Sequence, residues 1–164
     1  FINEFTAESS PGVMGIAPSV PGDMEHVLLS GNTIFLQGAS YVASTPEVSI
    51  DSKFQGIGKG FFSGESLFFI KCSGQGDLWF NTYGGMFSVD VDGSFVVDTG
   101  FVVGFTEGLE YKVEPVAGMK SLFFSGEGLV CRFKGKGQLW VQTRQAPRFV
   151  SWVHPFRPVK KKSD

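Results

Sequence analysis

The chain has 164 residues, 42% of them hydrophobic and 18% charged, with a formal net charge of −2. That hydrophobic content excludes disorder in spite of 22 Gly and 8 Pro, which therefore mark turns. The length suits one compact domain or a few small units around a shared core, and no apolar run reaches the roughly 18 residues of a membrane-spanning helix.

Residue usage predicts sheet. Eighteen Phe and eighteen Val stand against nine Leu and six Ala, which favours pleated, half-buried surface and leaves almost no helix. Phe1 rather than Met opens the chain, and no charged-then-apolar leader follows it. Along the chain, Gly31 to Gly38 is echoed 62 positions later by Gly93 to Gly100. Phe62-Ser63-Gly64-Glu65-Ser66-Leu67 returns as Phe124-Ser125-Gly126-Glu127-Gly128-Leu129, again at 62. Gly74 to Thr82 is answered by Gly135 to Thr143 after one deleted residue. Self-similarity at a fixed period denotes one supersecondary unit stacked on copies of itself.

Phe1-Ile2 falls on Phe69-Ile70 in this register, which places the start of the chain inside a copy. The expected domain is therefore 1–158, with copies at about 1–60, 61–122 and 123–158, and a basic tail at 159–164. Within it, strands 67–72 and 78–82 are expected to form a hairpin around Ser73 to Gly76, and 129–134 pairs likewise with 139–143. Residues 87–91 alternate with period two, and Asp92-Gly93 predicts a turn before Phe95-Val96-Val97. Strands are predicted at 101–105 and at 111–114, the latter closed by Pro115, and a last one at 149–153. The fold class is all-β, with repeats of about 62 residues forming a sandwich or barrel.

Few residues carry obvious chemistry. Glu65 and Glu127 could in principle serve as acid and base, but a residue repeated with its unit is expected to serve the turn. Asp90 and Asp92 lack the further oxygens of a calcium loop and read as a solvated face. His26 and His154 are the two histidines, without partners at metal spacing, so no metal or cofactor is expected. Cys72 and Cys131 are too few for a disulfide scaffold and are expected as buried thiols. Neither lies near a histidine in sequence, so a hydrolase would need a site assembled in space. Gly56 to Phe62 resembles a phosphate loop only in its glycines, since Gly60 rather than Ser or Thr follows Lys59 and no helix pattern succeeds it.

Two features point outward. Phe61, Phe62, Phe123 and Phe124 recur at the copy junctions as core wedges or as anchors for a partner or membrane. Residues 144–164 hold six Lys or Arg and one acid, a net +5, against −7 for 1–143. Lys160, Lys161 and Lys162 end that segment, and cations near a bilayer each contribute on the order of 1 kcal/mol of attraction to anionic lipid. The acidic body argues against nucleic acid as a partner.

The junction at 56–65, the repeated Phe-Phe-Ser-Gly-Glu, the run Thr99 to Phe105, Pro21-Gly22-Asp23 and Gly118 to Ser121 resemble the mitochondrial-biogenesis family named for altered inheritance of mitochondria. The resemblance covers about residues 1–143. It implies an all-β fold like that of the trp RNA-binding attenuation protein and the double-stranded β-helix, a link in eukaryotes to inner-membrane organisation, and no catalytic residue or cofactor. The attenuation protein's RNA-binding cations have no counterpart in the strands here. No mitochondrial targeting peptide is visible, so a cytoplasmic protein of a prokaryote is expected, or a mitochondrial one if the source is a eukaryote. The resulting expectation is a non-enzymatic scaffold, self-associating and in peripheral contact with a membrane, with a protein partner that the sequence does not identify. A small-ligand module with a pocket between repeats is the first alternative and a hydrolase the second.

Overall fold

The computed structural model describes residues 3–52, 68–115 and 129–158. Eight strands form one antiparallel sheet: β1 (Met24–Gln37), β2 (Tyr41–Ser44), β3 (Val48–Asp51), β4 (Phe69–Asn81), β5 (Met86–Asp98), β6 (Val102–Thr106), β7 (Leu109–Pro115) and β8 (Leu129–Gln142). The main path is β2-β4-β1-β6-β8-β5, with β3 added to β4 and β7 to β8. Among the described residues the one α-helix, α1, is Ala146–Val153, followed by a 3-10 turn at His154–Phe156. The expectation of an all-β protein with almost no helix holds.

Where hairpins were expected, the strands run on. Phe69–Asn81, Met86–Asp98 and Leu129–Gln142 are continuous, although Gly74, Gly93 and Gly135 sit within them at φ of +120°, +109° and +120°. Positive-φ glycine in a strand bends it sharply without reversing it. Ladder hydrogen bonds decide between bend and turn. Left unbroken, β4 pairs with β1 on one edge from Phe69 to Asn81 and with β2 and β3 on the other, whereas a reversal at Ser73–Gly76 would forfeit most of both ladders. Strand β8 is used in the same way by β5, β6 and β7.

Pairing follows one pattern in both halves. Met24 faces Asn81 in the first ladder and Met86 faces Gln142 in the second. Tyr41 faces Phe80 as Val102 faces Val141, and Val48 faces Gly74 as Leu109 faces Gly135. A register shift between Ser30 and Thr33 makes β1 one residue longer than β5.

The halves join where Ile34–Leu36 of β1 pairs with Gly104–Thr106 of β6. Gly104 permits that seam, because a Cβ there would stand 2.6 Å from the carbonyl oxygen of Phe35. Strand β6 is buried on both faces. Val103 and Trp140 from the second half complete a core with Leu36, Cys72, Leu78 and Phe80, while Phe69 from the first joins Val102, Phe105 and Phe133. Phe105 is the hub of the second core, its ring 5.0–5.5 Å from those of Phe35, Phe69, Tyr111 and Phe133.

The last strand expected at 149–153 is instead α1. Pro147 fits the first helical turn, where its missing N–H is not needed, and Phe149, Val153 and Phe156 fall at i, i+4 and i+7. That spacing puts three aromatic or β-branched groups on one helical face; a strand would have split them between two.

Gly135 gives a direct test of the bent strands. It faces Gly93 on one side and Leu109 on the other, and a Cβ there would collide with the Gly108 carbonyl; a Cβ at Gly93, by contrast, meets nothing within 4 Å. Gly135→Ala is expected to cost roughly 2 kcal/mol or more and Gly93→Ala about 1 kcal/mol. Urea unfolding of the two variants measures the difference, and equal losses would show that the carbonyl contact is unimportant.

Candidate functional site

Three surfaces offer themselves. The first is a cavity of about 560 Å³ between β1 and the start of β5, with Ile34, Met86 and Trp140 among its apolar lining and Asp23, Glu25 and Gln138 among its polar groups. It exists because β1 leaves β6 after three paired residues, so the two ribbons splay. Asp23 is already engaged, its Oδ2 accepting from the Met86 N–H at 2.8 Å. A second hollow of about 350 Å³ lies among the neutral side chains of Asn81, Thr82, Thr99, Gln142 and Gln145. Its two glutamines are held by the protein: Gln142 accepts from the Tyr83 N–H at 2.9 Å and donates to the Gly100 carbonyl at 3.0 Å, and Gln145 donates to Asp98.

The third surface is α1. Asp98 fastens it to the body, its Oδ1 accepting from the Gly100 N–H and from Gln145 Nε2, both at 2.9 Å, and its Oδ2 pairing with Arg148 at 2.9 Å. The Arg148 guanidinium also lies over the Phe101 ring, 5.3 Å from its centroid. Tethered by this polar flank, the helix buries none of its residues, and Trp152 and Phe156 are 66% and 74% exposed. Sequence reasoning missed this patch by taking the apolar run 149–153 as a strand; the i, i+4, i+7 spacing was the available signal.

The residues singled out from sequence are mostly not brought together. Phe61, Phe62, Phe123, Phe124, Lys160, Lys161 and Lys162 lie outside the described residues, as do Glu65, Glu127 and the stretch 56–62. Asp90 and Asp92 are exposed, and Asp92 pairs with Lys136 at 3.3 Å on open surface, a contact of little energetic consequence. His154 is exposed in the 3-10 turn. His26 Nε2 donates to Asp77 Oδ1 at 2.7 Å, and its ring stacks on Trp79 with centroids 5.0 Å apart. Trp140 is buried, whereas Trp79 is half-buried and Trp152 is exposed.

Both thiols are free and buried, as expected. Cys72 cannot serve His26: it faces Ile34 across the ladder while His26 faces Trp79, a separation on the order of 20 Å at about 3.3 Å per residue.

A family model described as Mitochondrial biogenesis AIM24 matches residues 1–144. The chain belongs to that family. An uncharacterised protein of Streptococcus pyogenes serotype M6 from this sequence neighbourhood is 26% identical over 149 residues, which is 90% of this chain and 60% of that protein. The crystal structure of a Streptococcus pyogenes protein superposes with a TM-score of 0.72 at 25% identity, covering 86% of this chain and 63% of that one. The chain thus spans less than two thirds of the length of either relative. No helix among the described residues is long and apolar enough to cross a membrane.

Burial sets the chemistry of the two cysteines. Desolvation pushes the thiols of Cys72 and Cys131 up from 9.0 to about 12, so the nucleophilic thiolate is scarce at neutral pH. An aromatic disulfide reagent is expected to leave both unlabelled in the native protein at pH 8 and to label both in denaturant, read by mass. The same shift links stability to pH. Between pH 9 and about 12 the unfolded chain sheds thiol protons that the folded chain keeps, so this contribution is complete below pH 9 and is lost as the pH climbs to about 12.

Proposed function

We propose that this chain is a non-enzymatic β scaffold that holds partners together, copies of itself included. Its body is a tandem duplication of a unit of about 62 residues in a double-stranded β-helix arrangement resembling the attenuation protein. Ladder registers that recur 61 or 62 positions apart support the duplication. The engagement of His26 with Asp77 and the burial of both thiols favour a role without catalysis. By analogy with the mitochondrial members of the family, the scaffold works at a membrane surface, in the cytoplasm of a prokaryote or in the mitochondrion of a eukaryote, without binding nucleic acid.

The observation that carries this reading is the end of the sheet. Strand β5 is terminal in the strand order, 13 residues long, with no strand among the described residues paired to its outer edge, where only the Met86 N–H is taken, by Asp23, among the hydrogen bonds described; Phe87 and Val96 stand half exposed on it. A long open edge is a template for a strand from another chain, through backbone bonds that demand little of its sequence. Light scattering at rising protein concentration is expected to show mass above the monomer. Phe87→Lys with Val96→Lys, at exposed sites, is expected to restore the monomer while leaving the circular dichroism unchanged. A wild-type protein that stays monomeric at every concentration would defeat the self-association. A second reading, a small-ligand module, is favoured by the cavity of about 560 Å³, a size typical of ligand sites. Mass spectrometry under native conditions would reveal a bound species.

A further inference from the structure

Helix α1 and the turn after it form the most exposed apolar surface of the C-terminal segment. Phe149, Val150, Trp152, Val153 and Phe156 are 40–74% exposed. At about 100° per residue they occupy an arc of roughly 160°, the width of a face built to lie against something apolar. The rings form a continuous strip, with Phe149 to Trp152 at 6.0 Å and Trp152 to Phe156 at 5.9 Å. The helix is fastened to the body beside the strip, by Arg148 on Asp98 and by the Phe149 ring against Tyr83, so Trp152 and Phe156 are presented on a fixed support and not on a free tail.

Charge indicates what meets it. Arg157 follows the strip directly, Lys160–Lys162 come next in sequence, and residues 144–164 carry six cations against one acid. Apolar aromatics on one face with cations at the margin suit an anionic lipid surface, where rings enter the boundary between headgroups and acyl chains while cations meet headgroup phosphates. A protein groove that received the same strip would have to supply acids around an apolar slot; a bilayer of anionic lipid supplies both over any area.

We propose that α1 docks in the plane of an anionic bilayer, with Trp152 and Phe156 as its main anchors and Arg157 at its rim. This rests on the membrane-surface part of the scaffold reading and names the element responsible. The intact chain is sedimented with phosphatidylcholine vesicles, with and without phosphatidylglycerol. Binding is expected only when the anionic lipid is present. Trp152→Ser with Phe156→Ser, both at exposed positions, is expected to weaken it roughly tenfold or more. Brominated acyl chains are expected to quench the wild-type tryptophan emission through Trp152.

The outcomes separate the two ideas. If the double variant still sediments with anionic vesicles, the membrane reading stands and α1 is not the docking element. If the intact protein stays in the supernatant with both lipids, the membrane reading itself fails. Equal binding to neutral and anionic vesicles would overturn the lipid class. If instead the substitutions change only the mass in solution, the strip is a contact between copies of the chain and the proposal falls.

Discussion

The structure depends on two strands having both backbone edges occupied. Strand β4 gives one edge to β1 over its whole length and divides the other between β2 and β3; β8 does the same for β5, β6 and β7. A buried strand with an unpaired edge is costly, so each of these two must remain unbroken to serve three partners. The mid-strand glycines follow from that requirement. They allow a strand of 13 or 14 residues to bend around its short partners without ending.

The halves exchange core residues as well as touching edge to edge. Trp140 fills the first core and Phe69 the second, so neither ribbon completes its core with its own side chains. Gly104 lets β6 approach β1 closely enough to pair. Because that pairing stops after three residues, the ribbons diverge and leave the cavity beside Asp23 and Trp140. The same feature thus holds the body together and opens this hollow.

What the molecule offers to others lies on its outside. The two thiols are sealed in the cores and Asp98 is spent on fastening α1, while the open edge of β5 and the aromatic strip of α1 remain exposed. A rigid sheet that displays an edge and an apolar helix is suited to positioning other molecules, and its chemical groups are mostly occupied in maintaining the display.

The family was legible from short motifs, and the all-β class from the weight of Phe and Val over Leu and Ala. Buried thiols were legible because two cysteines cannot staple a chain of this size. The hairpins were misread because Asp92-Gly93 and Ser73 to Gly76 have the local chemistry of a turn, and only the ladders on both sides determine that these glycines bend a strand instead. The segment at 149–153 was misread because β-branched and aromatic residues favour strands locally, whereas Pro147 and the tether to Asp98 make it a helix. Sequence alone determined which residues avoid water and how they recur, since both are local properties of side chains. Tertiary structure decided where strands end, which half fills which core and what remains exposed, because those outcomes depend on hydrogen bonds and contacts between residues far apart in the chain.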